Sequence, residues 1–164
     1  MKNVQIIEFP KSDLHFIAKW RSDERINRYI RQGIRTLPEV ENWYTGYFSK
    51  EENELYLINF KDRPAGYFTI EKVDPVNRNC EFGIVIGDME LHQKGIGSFV
   101  IKTMLETVFK EMNMHRVFAS IHEDNIASIN CFLKNGFIFE GKLTEAKLAG
   151  DRYFGMCLYS IIGN

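Results

Sequence analysis

The chain has 164 residues, 45% of them apolar and 26% charged, the mix of one globular domain. A domain of that size buries roughly 70% of the surface its unfolded chain exposes, so it needs neither a disulfide nor a metal to fold. Lys and Arg number 21 against 22 Asp and Glu, a net charge of -1; this argues against a bulk nucleic-acid binder and a polybasic membrane module but leaves room for one local cationic pocket.

Cys80, Cys131 and Cys157 form no CxxC pair and join no His/Cys cluster, so reduced thiols and no metal are expected. The opening MKNVQIIEFPKSD lacks a basic segment followed by an apolar core. No apolar run reaches the roughly 20 residues that span a bilayer. A cytoplasmic protein with neither a nucleic-acid nor a membrane partner is the expectation. No repeat or linker divides the chain, so 1–164 reads as a single domain.

In chain order, Val4 to Phe9 reads as an edge strand. Ser12-Asp13 offers an N-cap to a helix whose face carries Leu14, Ile17, Ala18 and Trp20. Thr36-Leu37-Pro38-Glu39 fits a capping box with an early proline, opening a helix with Val40, Trp43, Tyr44 and Phe48. Leu55 to Phe60 is an apolar strand, followed by a turn at Lys61 to Pro64. Ala65 to Val73 and Asn79 to Gly87 form an antiparallel hairpin about Asp74-Pro75-Val76-Asn77. A helix then carries Ile101, Leu105, Val108 and Met112 at i, i+4, i+7 and i+11, with Val100 and Met104 beside them. Arg116 to His122 is a strand. Asp124 or Asn125 caps a short helix with Ile126, Ile129, Phe132 and Leu133 inward, ended by Asn135-Gly136. Phe137 to Leu148 and Arg152 to Ile161 are strands joined at Ala149-Gly150-Asp151. The fold class is α/β, a mixed and mostly antiparallel twisted sheet of about six to seven strands flanked by helices.

The chemistry concentrates in Cys80 to Glu111. The strand CEFGIVIG runs into HQKGIGS and then into the periodic helix. Gly95 and Gly97 let backbone N–H groups converge without Cβ obstruction, at the positive end of a helix. Lys94 adds charge, and no acidic residue lies between His92 and Thr103. This is a phosphate or diphosphate cradle. The order K-G-I-G-S is not a Walker loop, and Ile101 does not complete a dinucleotide fingerprint.

His92-Gln93-Lys94-Gly95-Ile96-Gly97 resembles the Arg/Gln-x-x-Gly-x-Gly/Ala motif of the GNAT superfamily of N-acetyltransferases. The run from Asn125 through Ala127, Ser128 and Phe132 to Gly136-Phe137 resembles that family's second signature. Phe139 to Lys142 and Gly150 to Tyr153 are similar to the branch holding ribosomal-protein N-terminal and spermidine acetyltransferases. Lys19-Trp20-Arg21 with Ile26-Asn27 resembles amino-sugar-nucleotide acetyltransferases of that branch. The resemblance covers nearly the whole chain and is strongest from residue 80 to 140.

The resemblance implies a GNAT-like fold that binds acetyl-CoA as co-substrate. Amides of Gln93, Lys94, Gly95, Ile96, Gly97 and Ser98 would hold the CoA diphosphate. The strand backbone at Ile84, Val85 and Ile86 would pair with pantetheine where that strand parts from Arg116–His122. Asn125 and Asn130 would touch the cofactor's other end. His92 stands where Arg or Gln is usual.

Acetylating an amine requires a neutral nitrogen, whereas a lysine-like ammonium titrates near ~10.4, so a base is useful. Glu81, whose counterpart in the family is proposed as the base, is the first candidate, and Glu71 the second. Either also reads as an ion-paired strand carboxylate. The amide of Val85 or Ile86 would donate to the oxyanion. The family's leaving-group Tyr falls at Phe132, so Ser128 and Tyr153 are the remaining hydroxyl candidates; each also reads as ordinary packing. Cys131 has no apparent His partner for a covalent path. His15 and His115 read as structural or solvated, and His122 ends a strand near the cofactor. Arg21, Arg25, Arg28, Arg31 and Arg35 form either a solvated face or a site for a phosphorylated acceptor such as a nucleotide sugar.

The reading is an N-acetyltransferase that moves an acetyl group directly to a primary amine in a ternary complex. Acceptors in view are an amino sugar nucleotide, a protein N-terminus or another small amine, and a homodimer is compatible with it. The alternative is a non-catalytic acyl-CoA-binding or regulatory domain.

Overall fold

A computed structural model describes residues 1–30, 34–48, 52–149 and 151–163. Arg31 and Gly150, both named above, lie outside the described residues.

β1 (Val4–Glu8) leads through a 3-10 turn into α1 (Leu14–Arg21). Asp13 takes the N-cap position of α1, but its side chain does not cap. A short α2 (Glu24–Asn27), not anticipated from periodicity, is capped by Asp23, which accepts from the Arg25 amide at 2.9 Å. α3 (Leu37–Tyr47) opens as the capping signal predicts: the Glu39 carboxylate accepts from the Thr36 amide and hydroxyl at 2.8 and 2.9 Å.

β2 (Glu54–Phe60), β3 (Arg63–Asp74) and β4 (Asn79–Ile86) follow. Lys61 and Asp62 both adopt φ above 50°, the conformation of a tight primed hairpin turn, so β3 starts at Arg63. The β3–β4 turn closes where Asp74 accepts from the Asn77 amide at 2.8 Å. α4 (Ile96–Lys110) crosses over to β5 (Arg116–His122). α5 (Ile126–Lys134), β6 (Ile138–Ala149) and β7 (Arg152–Ile162) complete the chain.

The seven strands form one sheet in the order β1-β2-β3-β4-β5-β7-β6. Every neighbouring pair is antiparallel except β4 and β5, which the α4 crossover forces to run parallel. Alternation along β3 fills both faces of the sheet. Phe68 and Ile70 point to the face covered by α4 and α5, among Ile96, Val100, Ile101, Met104, Val108 and Phe132. Tyr67 points to the other face, where α1 and α3 bring Leu14, Ile17, Trp20 and Val40 against Leu55 and Leu57.

α4 buries the face its periodicity marks, although Met112 falls past its end. α5 departs from expectation. Phe132 is buried, but Ile126 and Leu133 are 59% and 45% exposed. The helix touches the core along one edge only, so the apolar positions flanking that edge stay open to solvent. Asn135 ends it, and Gly136 takes φ +88° just beyond, the left-handed residue that a C-terminal cap requires.

Candidate active site

The parallel pairing between β4 and β5 is short. It joins Asn79 to Arg116, Cys80 to Val117 and Glu81 to Phe118, and then stops. Beyond it β4 stays paired with β3 as far as Ile86, and β5 stays paired with β7 as far as His122. The two strands therefore part, leaving one backbone edge of β4 without a partner strand. Backbone groups alternate between the two neighbours of a strand. The Gly87 amide donates to Ala65 of β3's edge at 2.8 Å, while the Arg78 carbonyl accepts from Arg116 of β5 at 3.1 Å. By that parity Ile84 and Ile86 present their amides and carbonyls to the gap, whereas Val85 faces β3.

At the mouth of the gap lies the glycine loop. Gln93 and Gly95 take φ of 60° and 78°, and α4 starts at Ile96 with no side-chain cap and no acidic residue in its first turn. Among the described residues, none of the amides from Gly95 to Ser98 donates to a protein acceptor. Left-handed residues between right-handed ones curl successive N–H groups into a concave nest, and the helix dipole adds to it. At Gly97 a Cβ would stand 3.3 Å from Cys131 Sγ, so the loop packs close on α5. His92 fixes the loop to the strand: its Nε2 donates to the Ile86 carbonyl at 2.8 Å. The cradle therefore has the amides that a diphosphate needs, and His92 serves in positioning it. Lys94 is exposed beside it.

On the opposite face of β4 from Phe82 stands Glu81, 13% exposed in its side chain. Its Oε2 is 2.6 Å from Lys72 Nζ, and its neighbour across the β3 ladder is Glu71. Lys72 reaches it because a bulge between Glu71 and Asp74 puts Lys72 at φ 51°. Gly83, next on that face, leaves room for Thr69: a Cβ there would stand 2.4 Å from Thr69 Oγ1.

Across the gap, His122 ends β5, 9% exposed, with its ring edge-on to Tyr29 at 5.3 Å. The Asp124 amide donates to His122 Nδ1 at 3.1 Å. The neutral ring therefore carries its proton on Nε2 and offers a donor there. Asn125 spends its side-chain oxygen on the Ser128 amide at 3.2 Å, capping α5. Ser128 is half-buried and Asn130 exposed on the same helix. Phe132 packs edge-on against Phe137 at 4.9 Å, a core contact. Tyr153 is 57% exposed on the β6–β7 arm, past Met156, where the β5 ladder ends.

The family scan matches the acetyltransferase (GNAT) domain over residues 4–138. The chain belongs to the GNAT acetyltransferases. As a GNAT protein it is an N-acetyltransferase that uses acetyl-CoA. It is 20% identical to the spermidine N(1)-acetyltransferase of Escherichia coli K12, over 96% of this chain and 86% of that one. It is 26% identical to the N-acetyltransferase YnaD of Bacillus subtilis 168, over 98% and 94% of the two chains. The ribosomal-protein-serine acetyltransferase of E. coli K12 is 28% identical over 66% of this chain and 60% of its own. Among solved structures, the Vibrio cholerae spermidine N-acetyltransferase with CoA and spermine superposes with a TM-score of 0.89, at 20% identity, over 99% and 96% of the chains. The mixed seven-stranded sheet flanked by helices is thus the GNAT fold.

Two arginines of the run in this GNAT protein, Arg25 and Arg35, are ion-paired among the described residues. Arg25 pairs with Asp23 and Arg35 with Glu24, each at 2.5 Å. The Asn27 amide, turned so that its oxygen faces Arg35, also accepts from that guanidinium at 2.9 Å. Arg28 is exposed and lies over the Tyr29 ring at 4.4 Å. Among the described arginines of the run, Arg21 is the buried one. Burial raises the Cys131 thiol and pushes Cys80 up to about 12, so neither is a ready nucleophile. Among the described residues no group of His, Cys, Asp and Glu stands together as a metal site, and no helix is long and apolar enough to cross a membrane.

Sequence reasoning missed Lys72, the Asp124 amide on His122, and the burial of Arg21. The first two carry no local signal, since each depends on a bulge or a strand end. The buried position of Arg21 was open to detection: it follows Ile17 at i+4 and adjoins Trp20 on the apolar side of α1.

Proposed function

We propose that the protein moves the acetyl group of acetyl-CoA directly to a primary amine in a ternary complex. The observation that carries this reading is the parting of β4 from β5 beside the amides of Gly95 to Ser98, which find no acceptor among the described residues. Acetyl-CoA supplies the activated acyl group. The loop amides hold its diphosphate, and the gap-facing backbone of Ile84 pairs with its pantetheine arm, the Ile86 carbonyl being held by His92. Asn125, through its remaining amide nitrogen, and Asn130 flank the other end.

Glu81 receives the proton that the amine loses, directly or through a water, at Oε1, since Oε2 is held by Lys72. The Ile86 amide and the His122 Nε2–H are the donors toward charge building on the carbonyl oxygen. The carbon–nitrogen bond forms as the carbon–sulfur bond breaks. A thiol titrates near ~8.5, so thiolate departs without a strong acid, and Ser128 is the hydroxyl nearest that task on α5. Buried Phe132 takes no part in the proton traffic.

The acceptor is an amino sugar nucleotide, a protein N-terminus or another small amine. Relatives named for spermidine and for a ribosomal protein serve as starting points for the panel. We also place the protein in the cytoplasm, self-associated through the apolar positions of β6 and β7; a Vibrio cholerae relative is described as dodecameric.

Calorimetry with acetyl-CoA, then thiol release across an amine panel, tests the reading. Saturable binding and acceptor-dependent thiol release are expected. No heat at millimolar acetyl-CoA would overturn it. Phe132, in place of the usual hydroxyl, favours a second reading, an acyl-CoA-binding regulatory domain; stabilisation by CoA without turnover of any amine would establish that one.

A further inference from the structure

We infer that Arg21 and Tyr67 form an oxyanion anchor in the acceptor site, so that the amine acetylated here carries a carboxylate or phosphate close to its nitrogen. The inference rests on the acetyltransferase reading and narrows its acceptor.

Arg21 is 4% exposed. Its Nε donates to the Tyr67 hydroxyl at 3.0 Å, and its guanidinium lies 4.7 Å from the centre of the Trp43 ring. Nη1 is buried and has no hydrogen-bond partner, and no carboxylate pairs with Arg21 among the described residues. A guanidinium cannot shed its proton to escape burial as a lysine can. Cation–π contact with Trp43 offsets part of the penalty but leaves the donor unsatisfied. A purely structural arginine tying α1 to β3 would be expected to meet a carboxylate or a carbonyl there. Tyr67 adds a second donor, because burial holds its hydroxyl protonated and no acceptor takes its proton among the described residues.

The pair stands close to the reaction. Tyr67 opposes Val85 on β4. Trp20, which precedes Arg21, packs so tightly on Gly87 that a Cβ there would lie 2.2 Å from its ring. α1 therefore ends over the part of the sheet where β4 has lost β5, on the same face as Glu81, about one strand spacing of ~4.8 Å from β4. Trp43, whose ring lies over the guanidinium, is part-exposed. Of the nearby carboxylates, Asp23 is matched by Arg25, Glu24 by Arg35, Glu81 by Lys72 and Glu123 by Lys142, whereas Glu71, opposite Glu81 and on the same face as Tyr67, has no ion pair among the described residues. A polycation would still meet an unneutralised buried cation at Arg21. A neutral amine bearing an oxyanion would supply the partner that Nη1 lacks.

The test compares matched acceptors with saturating acetyl-CoA: glucosamine 6-phosphate against glucosamine, phosphoethanolamine against ethanolamine, β-alanine against propylamine, and spermidine. Thiol release gives turnover, and the fluorescence of Trp20 and Trp43, the only two tryptophans, gives binding to the CoA-loaded protein. The oxyanion-bearing member of at least one pair is expected to exceed its partner at least tenfold in kcat/KM or in affinity. The phosphate and carboxylate arms identify the group. R21M is expected to abolish that preference by raising KM for the acceptor, with KM for acetyl-CoA unchanged, and R21K to retain part of it. Preference for spermidine or for the neutral amines, binding of no oxyanion-bearing amine, or an unchanged preference in both variants overturns the inference. Calorimetry with acetyl-CoA alone tells these failures from a failure of the acetyltransferase reading.

Discussion

Glu81 occupies the last residue pair that β4 and β5 share, next to the open gap. Its carboxylate is held by Lys72 on one oxygen and has the other available. Proton transfer by a positioned carboxylate contributes about 100-fold or more. E81Q is therefore expected to lower kcat about 100-fold at neutral pH while calorimetry shows unchanged acetyl-CoA affinity. Full activity in E81Q would leave Glu81 as a member of a surface ion pair only. Sequence alternation placed Glu81 correctly opposite Phe82, because a period of two is local. Its ion pair with Lys72 depends on a bulge, and bulges have no dependable sequence sign. For Tyr153, residue type and motif neighbourhood nominate a hydroxyl, but the β6–β7 arm carries it past Met156, where the β5 ladder ends.

At the scale of elements, the glycine loop opens α4, and a cross-strand clamp holds β5, β7 and β6 in register. Gly97 is open to test by volume. A valine there would drive its side chain into Cys131, whose sulfur lies 3.3 Å from a bare Cβ, and would lift the loop amides off their common focus. G97V is expected to weaken acetyl-CoA binding at least tenfold by calorimetry, with the far-UV spectrum intact. The clamp is Arg116 of β5, bidentate on Glu140 of β6 at 2.5 and 2.7 Å, with Ser160 of β7 donating to the same carboxylate. These donors hold Glu140 down at about 2, from an ordinary 4.5. A carboxylate with a lowered folded-state pKa stabilises fully above its ordinary value, and that contribution fades as pH falls from about 4.5 toward 2. The pair is partly open to water, so its worth is about 1 kcal/mol, well below the unscreened shift. E140Q is expected to lose that amount in urea unfolding at pH 6 and to match the parent near pH 2.

At the scale of the molecule, the sheet is covered unevenly. α1, α3, α4 and α5 protect the cores around β2 to β5, while Ile138, Phe139, Leu143 and Leu148 of β6 are each more than half exposed. β6 is also an edge strand with one unpaired side. An apolar edge of this kind is a natural contact between copies. Sedimentation is expected to show an oligomer that L143E shifts toward monomer without loss of thermal stability. A monomeric parent at tens of micromolar would count against self-association.

The sequence alone determined the order of the strands and of every helix but the short α2, the glycine turn at Gly95 and Gly97, the capping of α3 and the alternation that aims Glu81. Each is set by residues within one or two turns of one another, where propensity, periodicity and glycine chemistry act directly. Only the tertiary structure decided where β4 and β5 part, which cation meets Glu81, which nitrogen of His122 bears the proton and which arginine is enclosed. Arg21 and Tyr67 are 46 residues apart in sequence. Contacts of that range arise from the packing of whole elements, which local periodicity does not encode.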